Sequence, residues 1–513
     1  MLNIFYAAFI TLLFSGTLVA GWSPPVTISE INSDSPQIKL DSSGTAKAIW
    51  KTFVGSNSVI QEAEGSISNE WTTPQNLSDP SQSANLPRIA LDVAGNQVVV
   101  WSRFNGTYQV IQAITNLVGP PIDLSIPDND AIFPAVASGP VNSAVAVWMK
   151  QSGSNFVIQA ATKDAGGPWS SPVDLSSSLD NSITPKVAVD PFNNAIAVWV
   201  SFDGTHYIVQ AARRPSGSSW SAAQNLSSPT VDALVPQIAM DSLGNATVVW
   251  QMNDGVNTTV QVVTYSSGVW SVPQNLSLTG DAVVPQIDVN SSNNAVVVWE
   301  LQISSHSTVQ AVTRVGGTWS SPVDLSTGVQ NSVNPKVAID AEGNAVVAWK
   351  QSIVAGSKIQ AVVHPFNGSW SLPVDVSTEG QDAEIPEVAM SQRGDAIIAW
   401  RNNFLTQIQV SRGSFFVAPP SNFLLRIKKC QFLNKTEHIL ILSWQGSQSP
   451  NVAYYSIYKD NQLVENVLAN SDFTLYFKIN PKRASLNYTI IAYSSEGFPS
   501  TPLNGIIIRE SLD

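Results

Sequence analysis

At 513 residues the chain has room for two or more domains, and its net charge is −12 with only 12% charged residues. The acidic balance argues against a nucleic-acid partner and against adhesion to an anionic membrane. The single cysteine, Cys430, excludes an internal disulfide, so the fold must rest on packing.

Residues Leu2 to Ala20 read as a secretory signal: an apolar run from Ile4 to Phe14 precedes small residues and Leu18-Val19-Ala20, with Gly21 next. The alternative is an uncleaved anchor, but the run is short for a membrane span. The expectation is a chain exported to the cell surface or beyond, with residues 1–20 removed and no transmembrane span afterwards.

From Trp22 to about Phe416 one unit recurs with a period of about 50 residues. Its proline falls at Pro36, Pro87, Pro134, Pro185, Pro236, Pro285, Pro335 and Pro386. A tryptophan follows each proline by 14 residues, from Trp50 to Trp400. That spacing never changes, as expected of strands whose register cannot slip without turning every side chain to the wrong face. Each unit holds four strand signals: P-x-V-A-h-D (h is apolar), A-V-V-V-W, x-V-Q-A and W-S-x-P-x-x-L-S. A D-x-x-G-N turn, as in Asp340 to Asn344, separates the first two and suits a tight antiparallel hairpin. The fold class read from this is all-β: an eight-bladed β-propeller of four-stranded blades over residues 21–417, with a β-solenoid as the less suited alternative.

Of 16 tryptophans, eight end second strands, seven begin fourth strands and Trp444 stands apart. Rings repeated at two fixed positions read as packing between blades. Trp22 to Ser29 is a fourth-strand signal without a first strand before it. It is expected to complete the last blade and fasten the two ends, in competition with Gly413-Ser414-Phe415-Phe416. The third unit has Val118 for the fourth-strand Trp and Gly139-Pro140 for the Asp turn, which predicts looser packing at that edge.

After Ala418-Pro419-Pro420 the language changes. Leu442-Ser443-Trp444, Tyr455-Ser456-Ile457-Tyr458 and Leu486 to Tyr493, followed by Glu496-Gly497 and Pro499, resemble a fibronectin type III domain. That resemblance implies a β-sandwich over residues 418–513, with Trp444 between the sheets and Tyr488 in a corner hydrogen bond. The repeats themselves resemble bacterial exported propeller proteins built from W-S-x-P-x-x-L-S and P-x-V-A-x-D-x-x-G-N-A-x-x-x-W units. They are more distantly similar to the Asp-box propellers of sialidases and some lectins. The Asp-box likeness supports the fold class and little more, because here the Asp-to-Gly spacing is one longer and the Trp lies further away.

Chemistry is sought where the units vary. Loops between second and third strands carry Phe53, Arg103, Phe104, Tyr108, Phe202, His206, His306 and Arg401, the candidate ligand-binding set. Aromatic faces beside amides and carboxylates suit carbohydrate or peptide recognition. Four residues before each proline lies a short polar residue, including Asp130, Asp232, Asp281 and Asp382. These four are candidate calcium ligands in a ring at one mouth of the channel, against the blander reading of turn capping. The repeated third-strand glutamine, Gln61 to Gln409, reads as structural, its amide partnered from a neighbouring blade. A sialidase would need an arginine cluster, for which only Arg88, Arg103 and Arg401 are available, with Tyr108 and Glu300 or Glu384 beside them. No residue emerges as catalytic, no cofactor is called for beyond that calcium, and no G-x-S-x-G elbow or metal-spaced histidines occur. The function expected is therefore a secreted, monomeric, non-enzymatic protein that binds a glycan or an extracellular protein. The alternatives are a sialidase-like or other glycan-active enzyme and a structural cell-surface repeat.

Overall fold

The computed structural model describes residues 21–508 except 67–68, 141, 279, 304, 416–419, 433–434, 448–451, 471–472, 480–485, 495–499 and 501–502. The leader Leu2–Ala20, Phe416, the linker residues Ala418 and Pro419, and Glu496, Gly497 and Pro499 of the tail motif lie outside the described residues.

Among the described residues the protein is all-β, built from ten sheets. Eight belong to the repeats and are antiparallel meanders with one strand order. Their first strands are Ser33–Leu40, Ala84–Leu91, Ala131–Ser138, Asn181–Val189, Asp232–Met240, Asp281–Val289, Ser332–Ile339 and Ala383–Met390, here called the inner strands of sheets 1 to 8. Between inner and second strands the repeated Asp takes the N–H groups two and four residues on: Asp241 accepts from Leu243 and Asn245 at 2.9 and 2.8 Å. The turn then closes through a residue with positive φ, as at Gly244 (81°) and Asn193 (65°).

The hydrophobic cores sit between sheets. Each neighbouring pair shares one cluster, including sheet 8 with sheet 1, where Ile397, Ile408 and Val410 meet Ile38, Ala48 and Trp50. Each second-strand tryptophan is fully buried against the preceding sheet, as Trp250 is against Val198 and Val200. In five of the eight, Trp101, Trp148, Trp199, Trp299 and Trp400, the indole N–H donates to the third-strand glutamine, as Trp199 to Gln210 at 3.1 Å and Trp148 to Gln159 at 3.2 Å. The glutamine amide donates onward to an outer-strand side chain, Gln210 to Asn225 and Gln159 to Asp174, both at 2.8 Å. The amide's partners therefore lie in its own sheet and not in a neighbouring one as expected. The reason is register: Gln210 pairs with both Trp199 and Asn225, which puts all three side chains on one face.

The end of L-S has a similar logic. In every repeat sheet the serine hydroxyl accepts a third-strand N–H at 2.8–3.0 Å, for example Val209 to Ser227. In sheet 8 the acceptor is Ser29, from the other end of the repeats. Val26 and Thr27 pair with Val410 and Gln409, so Trp22–Ser29 fills the last outer-strand place. Phe415 does not compete for it, since its ring packs on Trp22 at 4.8 Å. The Arg412 guanidinium donates to the carbonyls of Gly44 and Gly65, tying sheet 8 to sheet 1.

At the edge between sheets 2 and 3 Val118 is exposed, as the missing tryptophan predicts. The turn itself is not loose. Asn142 (φ 60°) donates its N–H to Asp92 of sheet 2 at 2.8 Å and accepts from Asn116 at 2.7 Å. The carboxylate that the Gly139 turn lacks is supplied by the preceding sheet.

One feature of the inner strands was not legible in the sequence. In all eight, pairing with the second strand slips by one residue at the X-Pro step. The residue before each proline has a positive φ, from 52° at Thr184 to 56° at Leu86. Such a bulge sharpens strand twist and re-aims the next side chain. Residues just after the proline, Gln37, Arg88, Ala135, Lys186, Gln237, Lys336 and Glu387, thereby line a central cavity of about 620 Å³ bordered by all eight inner strands.

After residue 420 two further four-stranded sheets face each other. One contains Ser421–Phe432, Lys435–Gln445, Thr474–Ile479 and Ile506–Ile508; the other Val452–Lys459, Gln462–Leu468, Tyr488–Ser494 and Leu503–Asn504. Trp444 lies in their shared core, 5.8 Å from the Tyr455 ring and 5.7 Å from Phe473.

Candidate functional site

The loop residues singled out in the sequence are spread over sheets 1, 2, 4, 6 and 8. Phe53 and Phe104 are exposed, with the Lys51 ammonium 5.7 Å from the Phe53 ring. Arg103 is engaged by the Asp123 carboxylate at 3.0 Å and by Gln82. Tyr108 is half-buried. Phe202 packs on Tyr207 at 4.8 Å, and His206 lies 3.4 Å from Asp232. The His306 ring lies 3.2 Å from the Ser305 hydroxyl. Arg401 bridges Asp34 at 3.0 Å and Glu384 at 2.9 Å. Lys350 also reaches Glu384, and Lys51 reaches Asp34, so this ionic network runs from sheet 7 through sheet 8 to sheet 1. Burial opposes ionisation of Glu384, but the hydrogen bonds from Lys350, Asn403 and Arg401 prevail and hold its carboxyl down to about 2.

The arginines a sialidase would need are not brought together. Arg88 lines the central cavity, Arg103 pairs at the edge of sheet 2, and Arg401 belongs to the network just described. Glu300 is buried and accepts the Asn334 N–H of the next sheet at 2.7 Å; burial raises its pKa. The four candidate metal carboxylates fall on sheets 3, 5, 6 and 8, and each is already occupied. Asp130, Asp232 and Asp281 accept the N–H groups of Gln109, Tyr207 and Thr258 at 2.7–3.0 Å, and Asp382 accepts the Ser357 hydroxyl at 2.7 Å. These bonds cap the neighbouring sheet's third strand, so the capping role spans two sheets rather than one turn. Among the described residues no group of three or more His, Cys, Asp or Glu could hold a metal ion.

Two grooves lie elsewhere, on the turn side of sheets 4 to 6. A groove of about 490 Å³ between sheets 5 and 6 is lined by Asn245, Tyr265, Gln274, Asn293, Arg314 and Trp319, among others. A second of about 340 Å³ between sheets 4 and 5 shares Asn245 and Tyr265 and adds Arg213 and Arg214. Third strands run on past the sheet here, and the outer-strand tryptophan follows a tight turn, so cation and ring are paired. The Arg314 guanidinium stands 5.0 Å from the Trp319 centroid, and that of Arg213 4.4 Å from Tyr265. Arg314 also donates to Asn293, and burial brings its pKa down to about 10, which leaves it charged at neutral pH. No Asp, Glu, His or Cys lines the larger groove. It offers rings, amides, hydroxyls and one cation, and nothing that exchanges a proton near neutrality. Sequence reasoning missed Arg213, Tyr265 and Arg314 because it looked to the opposite loops, and it assigned Trp319 to scaffold. The available signal was the basic or aromatic residue ending a third strand, Arg213-Arg214, Tyr265 and Arg314 in three successive units.

No family model matches this chain, and no curated protein matches it. Solved structures do. A polysaccharide lyase, an ulvan lyase of family PL25, aligns at 9% identity over 75% of this chain and 94% of its own, with a TM-score of 0.43. A leech intramolecular trans-sialidase aligns at 11% identity over 78% of this chain and 70% of its own, with a TM-score of 0.34. A protein of unknown function from Dyadobacter fermentans aligns at 10% identity over 56% and 95%, with a TM-score of 0.37. No helix among the described residues is long and apolar enough to cross a membrane.

Proposed function

We propose that this is an exported eight-bladed propeller carrying a C-terminal fibronectin type III-like sandwich, and that it binds a glycan in the grooves between its fourth, fifth and sixth blades. The observation that carries the reading is the larger groove: Trp319 and Tyr265 beside Asn245, Asn293 and Arg314, with no carboxylate or imidazole among its lining residues. Sugars are held by ring faces that cover their C–H surfaces and by amides that match their hydroxyls. Hydrolysis by the usual route needs a pair of carboxyl groups across the bond, which this groove does not offer. The eight shared cores support the blade count, and the leader Leu2–Ala20 supports export. Calcium is left out of the reading, because the four candidate carboxylates already serve backbone or hydroxyl donors.

The test is a glycan array probed with the full chain, as wild type, Trp319→Ala and Phe53→Ala. Saturable binding that is lost in Trp319→Ala and kept in Phe53→Ala is the expected result. Loss in Phe53→Ala alone would move the site to the loop face. A blank array with folded protein would sink the carbohydrate reading.

A further inference from the structure

The central cavity carries a charge pattern that the scaffold does not explain. It is lined by Lys39, Arg88, Lys186 and Lys336 against only two carboxylates, Asp288 and Glu387, in a chain whose overall charge is −12. The two carboxylates are accounted for. Asp288 accepts the N–H groups of Val289 and Ile339 at 2.9 and 3.0 Å. Glu387 accepts from Lys336 at 2.9 Å and from Gln37 at 3.1 Å. Arg88 donates to its own Pro87 carbonyl at 2.8 Å. Among the described residues no hydrogen bond or ion pair reaches the ammonium of Lys186.

That lysine is held in place. The bulge at Thr184-Pro185 turns it inward, and its strand pairs in register with Val198 of a fully buried second strand. Around it stand Arg88 and Lys336, which repel it, and Glu387, which attracts it. Desolvation is the largest influence and, with those two cations, brings its pKa down to about 8. Gln237 supplies a neutral amide to the same cavity, and the small alanines at 90, 137, 188, 239, 338 and 389 are also among its lining residues.

We propose that the central cavity is a binding site for a small oxyanion-bearing molecule, a sulfate, phosphate or dicarboxylate, held between Lys186 and Arg88 with Gln237 as an amide partner. A dianion there would neutralise the excess of cations over carboxylates and give Lys186 the partner it lacks. The site is separate from the grooves, so either can fail without the other.

Sulfate tests this best, because it does not titrate over the pH range needed. Calorimetric titration of sulfate into the full chain, at fixed ionic strength, is expected to show one saturable site at pH 7. Affinity should fall about tenfold by pH 9, as the free lysine loses its proton and only the protonated fraction binds. Lys186→Gln should lower affinity at pH 7 at least as much, while Lys358→Gln, which removes a cation paired with Asp375 at an outer strand, should leave it unchanged. Phosphate and malonate in place of sulfate distinguish the oxyanion class. Saturable binding that is indifferent to Lys186→Gln and to pH would overturn the proposal, as would the absence of any saturable heat. Should Lys186→Gln fail to fold, the wild-type pH profile decides.

Discussion

The interiors of the repeat sheets and their inner strands follow opposite rules. Within the sheets, Trp, Gln and serine recur at fixed places and are spent on one another: Trp199 on Gln210, Gln210 on Asn225, Ser227 on Val209. These groups are neutral. Along the inner strands the residue after the proline changes from unit to unit, as Gln, Arg, Ala, Lys, Gln, Gln, Lys and Glu. There the side chains face a cavity, and among the described residues no hydrogen bond or ion pair reaches the Lys186 ammonium. Repetition marks what the architecture needs eight times over. Variation at an otherwise repeated, inward-facing position marks where a single feature of the assembled ring is being built.

The largest effect should come from breaking the repeated part. Trp199→Ala removes a fully buried ring from the core between sheets 3 and 4 and leaves the Gln210 carbonyl without its donor. A loss of about 3–5 kcal/mol is expected in denaturant unfolding of the full chain followed by tryptophan fluorescence. A loss below 1 kcal/mol, on the order of a surface change, would mean that the sheets do not depend on their shared cores.

The inner strands should respond in the other direction. Lys186→Met is expected to stabilise the ligand-free protein at pH 7 by about 1–2 kcal/mol, because it removes a desolvated, repelled charge. The sign follows from the pKa. Lys186 titrates at about 8 in the folded protein and at 10.5 when unperturbed. Below 8 it is charged in both states and its penalty is complete. Between 8 and 10.5 the unfolded chain binds the extra proton, so wild-type stability rises with pH and the advantage of the methionine fades. Unfolding curves of both proteins at pH 7 and pH 10 measure this. A variant less stable than wild type at pH 7 would show that the lysine is a structural partner and not a spare charge.

The smallest effect concerns the bulge that joins the two regions. Thr184 is exposed and β-branched, and it holds φ at 52°. The equivalent position in sheet 7 is Asn334, at 55°. A left-handed conformation costs most residues about 1–2 kcal/mol, and asparagine is among those that tolerate it best. Thr184→Asn should therefore stabilise the protein by up to about 1 kcal/mol. Destabilisation would mean that the threonine itself shapes the bulge.

Much of this was legible in the sequence, for a reason particular to repeats. The fixed distance from Pro36 to Trp50, found again from Pro386 to Trp400, could only mean strands locked in register, and eight copies made the strand order readable. Ser29 proved to be the eighth of the L-S serines because its N–H donor, on Ile408, is the eighth of its kind. The candidate sites were read less well. Loop residues were chosen for their chemistry, yet Arg103 and Arg401 are bound up in ion pairs with partners from other strands. The left-handed residue before each proline could not be foreseen, because proline disfavours helical backbone in the residue before it and points instead to extended chain.

The sequence alone determined the strands, their order within a sheet and the residues that fill the cores, since alternation and spacing are local properties of the chain. It also placed Trp22–Ser29 among the outer strands, with Thr27 382 residues from its partner Gln409, because the motif itself was repeated. What only the tertiary structure decided is which variable residues share a space. Arg88, Lys186 and Glu387 lie in three units far apart in the chain and meet because the inner strands surround one cavity. Tyr265 and Trp319, from successive units, line one groove between two neighbouring sheets. Charge and desolvation act through distance in space, and that distance exists only once the sheets are packed.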